Sequence, residues 1–106
     1  MKWLSIEALQ TRTFSEKSDV WAFGVLLYEV FSLGKMPYET MNNVDMLKFL
    51  LQGSRLEQPQ YASDAMYDLM KSCWHVNPDS RTPFREIVQR LRVMLEQQTE
   101  AYGYVS

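Results

Sequence analysis

The sequence predicts an all-α fold, and three observations carry that reading. No stretch alternates apolar and polar residues with period two, so nothing reads as a half-buried strand. Two segments, 63–74 and 82–95, place apolar residues at i, i+3, i+4 and i+7, which is one face of a helix. Capping and turn residues divide the 106 residues into helix-sized pieces.

Ser5 to Gln10 can make a short helical turn. Ser18 is an N-cap candidate for the next segment, and Gly34 stands at its C′ position. Between them, Val20 to Leu33 is apolar almost all round and belongs at the centre of a core. Its β-branched and aromatic residues also admit a buried strand, but its length selects helix. Gly34-Lys35-Met36-Pro37-Tyr38 breaks the chain, and another helix is expected after Asn43 and before Gly53. Arg55 to Gln60 is a connector containing Pro59. Ser63 or Asp64 caps the following helix, with Met66, Leu69, Met70, Cys73 and Trp74 on its apolar face. Asn77-Pro78-Asp79-Ser80 ends it. Thr82 is expected to cap the last helix, with Pro83 at N1 where its missing N–H is harmless. Phe84, Ile87, Val88, Leu91, Met94 and Leu95 form its stripe, and Glu86 precedes Arg90 by the four residues that suit a helical ion pair.

Composition narrows the class. The length suits one small domain with a single core. Eleven Lys and Arg against thirteen Asp and Glu leave a net charge of −2, which argues against a nucleic-acid backbone as partner. A helix-turn-helix reading through Arg85, Arg90 and Arg92 is weakened further by Glu86 and Glu96 among them. One cysteine, Cys73, excludes an internal disulfide, and with one histidine, His75, it leaves too few soft ligands for a zinc site. Both are expected to serve packing, as are Trp21, Trp74 and the seven methionines. The run Val20–Leu33 is shorter than the ~20 residues that cross a bilayer. No signal peptide opens the sequence, so the chain is expected to be soluble or the soluble part of something larger.

The motifs say more. Lys2-Trp3-Leu4-Ser5-Ile6-Glu7-Ala8-Leu9 resembles the substrate loop and Ala-Pro-Glu segment of protein tyrosine kinases. Ser18-Asp19-Val20-Trp21-Ala22-Phe23-Gly24-Val25 is similar to the start of the central helix of the kinase C-terminal lobe, and Gly34 to Tyr38 to the loop after it. Cys73-Trp74, Pro78, Arg81 and Phe84 resemble the family's closing Cys-Trp-x-x-x-Pro-x-x-Arg-Pro-x-Phe. Order and spacing match over nearly the whole chain, and the texture is closest to the receptor type. There are two departures. Ser5-Ile6 stands where the family has Ala-Pro, and the closing proline comes one place late, at Pro83.

The resemblance implies a C-terminal-lobe helical bundle of four to five helices around a central apolar helix, an incomplete domain over 1–99 with a tail at 100–106. It implies an intact parent that moves the γ-phosphoryl of ATP to protein tyrosine with Mg²⁺, on the cytoplasmic side of a single-pass membrane receptor. The glycine-rich loop, nucleotide-binding lysine, His-Arg-Asp and Asp-Phe-Gly of that family have no counterpart in these 106 residues. No cofactor is therefore expected on this chain, and the chain alone is expected to be inactive. The alternative is a non-catalytic helical interaction module derived from a kinase.

By the same resemblance Lys2, Trp3 and Leu4 form the shelf for the peptide residue after the target tyrosine, with a frayed N-terminus as the plain alternative. Glu7 and Arg81 form a buried ion pair, the alternative being two exposed charges. Asp19 anchors the central helix to the catalytic loop in the family; without that loop it is a helix-start acid favoured by the dipole. Tyr102 and Tyr104 are candidate phosphorylation sites for phosphotyrosine-reading modules. Incubation with an active tyrosine kinase is expected to label Tyr102 and Tyr104 ahead of Tyr28; phosphate mapping that finds Tyr28 labelled and both tail sites empty contradicts this.

Overall fold

The computed structural model describes residues 2–101, which form five α-helices and one 3₁₀ turn, with no strand among the described residues. The helices are α1 (Ile6–Thr11), α2 (Glu16–Phe31), α3 (Asn43–Leu51), α4 (Asp64–Ser72) and α5 (Phe84–Ala101), with the turn at Pro78–Ser80. The all-α expectation holds. Tyr102 and Tyr104 lie outside the described residues, and α5 runs to Ala101.

Several helix ends differ from the sequence reading. The N-cap of α2 is Ser15, not Ser18: the Ser15 hydroxyl accepts from the Ser18 N–H, and the Ser18 hydroxyl accepts from the Ser15 N–H. Two serines three apart make this reciprocal box, which satisfies more terminal donors than a single cap at Ser18 would. At the other end Leu33, not Gly34, occupies C′ in the left-handed region at φ 59°. Gly34 follows at φ 85°, its N–H reaching back to Glu29 O at 2.8 Å, while Leu33 N–H reaches Val30 O. That pair of bonds is a Schellman closure. The last helix starts one residue later than expected. Pro83 C=O accepts from Glu86 and Ile87, so the proline takes the cap position and Thr82 N–H is drawn away to Ser72 O. Ser63 does cap α4 as expected, and Ser5 caps α1 rather than forming its first residue.

The core gathers on α2. Val20, Trp21, Val25 and Tyr28 are buried there, against Leu69, Met70, Cys73 and Trp74 at the end of α4, Met46 and Leu50 of α3, and Ile87 of α5. Although apolar almost all round, α2 is not covered all round: Leu26 and Val30 are exposed. The α5 stripe is likewise narrower than expected, with Ile87 buried and Val88 and Leu95 exposed. Glu86 and Arg90 do not come within ion-pair distance. Phe23 meets Phe84 edge-on with centroids 5.9 Å apart, tying α2 to the start of α5.

Gly24 lets α2 pack tightly against the end of α4 and the residues just after it. A Cβ there would stand 2.7 Å from both Cys73 Cβ and Trp74 Nε1. The first is fixed to backbone and the second belongs to a buried indole, so neither can yield easily. Gly24→Ala is therefore expected to destabilise the chain by about 1–3 kcal/mol through overpacking, against the ~1 kcal/mol that alanine gains in helix propensity. Urea unfolding followed by circular dichroism measures the sign, and a stabilised variant would contradict the close crossing.

Candidate peptide-binding site

Arg81 organises the region. Its side chain is fully buried, and its fork holds Glu7 with two parallel bonds: Nη1 to Oε2 at 2.7 Å and Nη2 to Oε1 at 2.8 Å. Nη1 also donates to Lys17 O at 3.0 Å, and Nε donates to His75 O at 2.8 Å. The guanidinium lies over the Trp21 ring, 4.9 Å from its centroid. Two sequence positions 74 apart thus meet through a planar fork that lysine cannot copy. His75 is exposed, contrary to a packing role; its contribution is the backbone carbonyl that Arg81 uses.

Burial pushes the Glu7 carboxyl upward, but hydrogen bonds from Arg81 and the local backbone, with the Arg81 charge, outweigh it and hold the group below the ordinary 4.5. Cys73 is buried, its thiol pushed up to about 11 chiefly by desolvation, and Sγ donates to Leu69 O. A thiol in that state is a packing group, not a nucleophile.

Glu7 belongs to α1, so Arg81 fixes where α1 lies. The sequence departure at Ser5-Ile6 falls at the start of this helix. Ser5 supplies a capping hydroxyl to Ala8 N–H, and Ile6 sits at N1, where a proline's missing N–H would have cost nothing. Ile6 is buried, so the replacement adds core contact.

Across from α1 stands α3. Leu4, Ala8, Leu9 and Phe14 on one side and Val44 and Leu47 on the other line an open groove of about 480 Å³, with Arg12 as its one ionisable residue. The three expected shelf residues are placed differently from one another. Leu4 lines the groove. Lys2 donates its ammonium to Tyr38 O at 2.7 Å and to Met41 O. Trp3 is partly exposed and donates its indole N–H to the Glu29 carboxylate. Lys2 and Trp3 therefore tie the loop to the rest of the fold. Asp19 is exposed in the first turn of α2, and its carboxylate accepts no hydrogen bond among the described residues. Phe14, Val44 and Leu47 escaped the sequence reading. Their only signal is exposed apolar character at Phe14 and Val44, and that gains meaning only once α1 and α3 are side by side.

Comparison with known proteins gives the family. The family model described as protein tyrosine and serine/threonine kinase matches residues 1–91. A Caenorhabditis elegans protein named as a candidate tyrosine-protein kinase is 47% identical over 106 residues, all of this chain and 12% of that protein. A fibroblast growth factor receptor of Halocynthia roretzi is 46% identical over 102 residues, 95% of this chain and 13% of the receptor. One from Ciona intestinalis is 47% identical over 94 residues, 89% of this chain and 13% of the receptor. The chain thus spans about an eighth of the length of these relatives.

Removing Glu7 leaves the fully buried Arg81 guanidinium without its carboxylate and is expected to cost about 3 kcal/mol, whereas removing Arg81 leaves a part-exposed Glu7 that water can reach and is expected to cost less on the charge alone. A double-mutant cycle with Glu7→Gln and Arg81→Met in denaturant is expected to be strongly non-additive; additive effects below about 1 kcal/mol would show no coupling. The pH dependence has a definite sign. The folded carboxyl titrates below the unfolded one, so its stabilisation is complete above about pH 4.5 and disappears as pH falls through the folded value. The stability gap between the wild type and Glu7→Gln is expected to shrink on acidification from pH 6, and a gap that widens would contradict the assignment.

Proposed function

Because the chain belongs to the protein tyrosine and serine/threonine kinase family, we propose that it is the peptide-binding C-terminal-lobe part of a receptor-type tyrosine kinase. The observation that carries the reading is the 46% identity to a fibroblast growth factor receptor over 95% of this chain. Lys2-Trp3 before the Glu7 segment favours the tyrosine branch.

In the intact protein the γ-phosphoryl of ATP passes to a protein tyrosine, with Mg²⁺ screening the phosphate charge. The residues of this chain do not fit either group. Among the described residues no three His, Cys, Asp or Glu side chains converge as metal ligands, and the 106 residues hold no glycine-rich loop. Nucleotide and metal chemistry are assigned to other parts of the intact protein. This chain contributes the groove between α1 and α3, which takes the peptide beside the tyrosine, and the scaffold that sets its width. No helix among the described residues is long and apolar enough to cross a membrane; the proposed place is the cytoplasmic side of a membrane receptor. Tyr102 and Tyr104 are proposed as sites whose phosphates recruit phosphotyrosine-reading modules.

A chimera tests the reading. The chain replaces the matching segment in the kinase domain of a fibroblast growth factor receptor, and phosphate transfer to a tyrosine peptide is measured. The chimera is expected to keep activity within about tenfold of the receptor, or ~1.4 kcal/mol in the barrier. The 106-residue chain alone is expected to show none above background. A chimera that folds and binds ATP yet leaves the peptide unmodified favours the non-catalytic interaction module instead.

A further inference from the structure

We propose that Arg12 makes the α1–α3 groove selective for peptides that carry a carboxylate side chain next to the apolar residue seated in it. This rests on the peptide-binding reading of that groove. Two independent observations single out Arg12. It closes α1 in the left-handed region, at φ 54° and ψ 34°, where glycine is the low-cost residue. A long cationic side chain is therefore kept at a position that penalises it, and such an outlier points to a use for the side chain. The second observation is the lack of any partner. The Arg12 side chain is exposed and forms neither ion pair nor hydrogen bond among the described residues, whereas Arg55 and Arg81 each donate to several backbone or carboxylate acceptors.

The backbone at Arg12 is nonetheless fixed. Its N–H donates to Ala8 O at 3.0 Å, and Thr13 N–H reaches Glu7 O in the residue that Arg81 grips. The guanidinium thus leaves a rigid helix end at the rim of a groove whose other lining residues, Leu9, Phe14, Val44 and Leu47 among them, carry no charge. An apolar cleft with a single unpaired cation at its edge complements a peptide with an apolar side chain followed or preceded by Glu or Asp. A guanidinium can grip that carboxylate with two bonds, while a lysine on the peptide meets repulsion.

The probe is a set of fluorescein-labelled tyrosine peptides with leucine after the tyrosine and Glu, Gln or Lys scanned over the following positions. Binding to the 106-residue chain is read by anisotropy at low and high salt. At one position Glu is expected to bind about 3- to 5-fold more tightly than Gln, the scale of a rim charge pair, and the preference is expected to fade in high salt. Arg12→Gln is expected to remove the preference and Arg12→Glu to invert it toward Lys. Arg12→Gly relieves the left-handed strain, so it is expected to remain folded by circular dichroism while also losing the preference. Equal binding of Glu and Gln peptides at every position, with Leu47→Asp still abolishing binding of both, overturns the role of Arg12 and leaves the groove standing. Binding that Leu47→Asp does not disturb, or no binding of any peptide, overturns the groove reading and this inference with it.

Discussion

The buried guanidinium of Arg81 is the constraint on which the rest of the structure depends. A cation with no exposed side-chain surface is tolerable only if its donors are met, and here Nε and both Nη atoms are engaged. The acceptors come from α1, from the first turn of α2 and from the segment after α4, so one side chain gathers three parts of the chain. The grip is returned through the backbone, since Lys17 donates its ammonium to Arg81 O at 3.2 Å. Because the fork is planar and two-pronged, it fixes the direction of the Glu7 carboxylate as well as its distance.

Trp21 extends this arrangement to the other wall of the groove. Arg55 also lies over its ring, 5.2 Å from the centroid. Its Nε donates to Trp74 O at 2.8 Å, and Nη1 donates to Leu50 O and Ser54 O. Leu50 is in the last turn of α3, and its carbonyl, which already accepts from Gly53 N–H, takes Arg55 as a second donor, so the cation complements the negative end of the helix. One indole therefore carries two arginines, one holding α1 and the other holding α3. Burial pushes the Arg55 guanidinium down in pKa, and repulsion from Arg81 adds to it. Backbone carbonyls around Arg55 and the carboxylate on Arg81 offset that cost. The width of the groove is thus a consequence of core electrostatics, although the groove itself is apolar.

The two departures from the family pattern are absorbed locally. At Ser5-Ile6 the lost proline is offset by a capping hydroxyl and a buried apolar side chain. At Thr82-Pro83 the helix begins one residue later, with the proline carbonyl opening the hydrogen-bond ladder. Neither change reaches Arg81, which precedes the late proline and keeps extended backbone at φ −75° and ψ 145°.

Features set by neighbours within a turn or two were legible in the sequence. The stripe of α4, the cap at Ser63 and the breaks at Gly34 and Pro78 depend on hydrogen bonds and side-chain periods spanning three or four residues. Local ambiguity produced the errors: Ser15 and Ser18 can each cap, and only their reciprocal bonding decides between them. The Glu7–Arg81 pairing was suggested by family resemblance, because no local rule links residues 74 positions apart. The groove belonged wholly to the tertiary structure. Leu4, Arg12, Phe14, Val44 and Leu47 come from segments whose separate sequences contain nothing that sets them side by side. Sequence by itself determined an all-α chain, its helix stripes and its kinase motifs. The docking of α1 against α3, and the isolation of Arg12 at its rim, arose only when buried guanidinium groups had to find their acceptors across the fold.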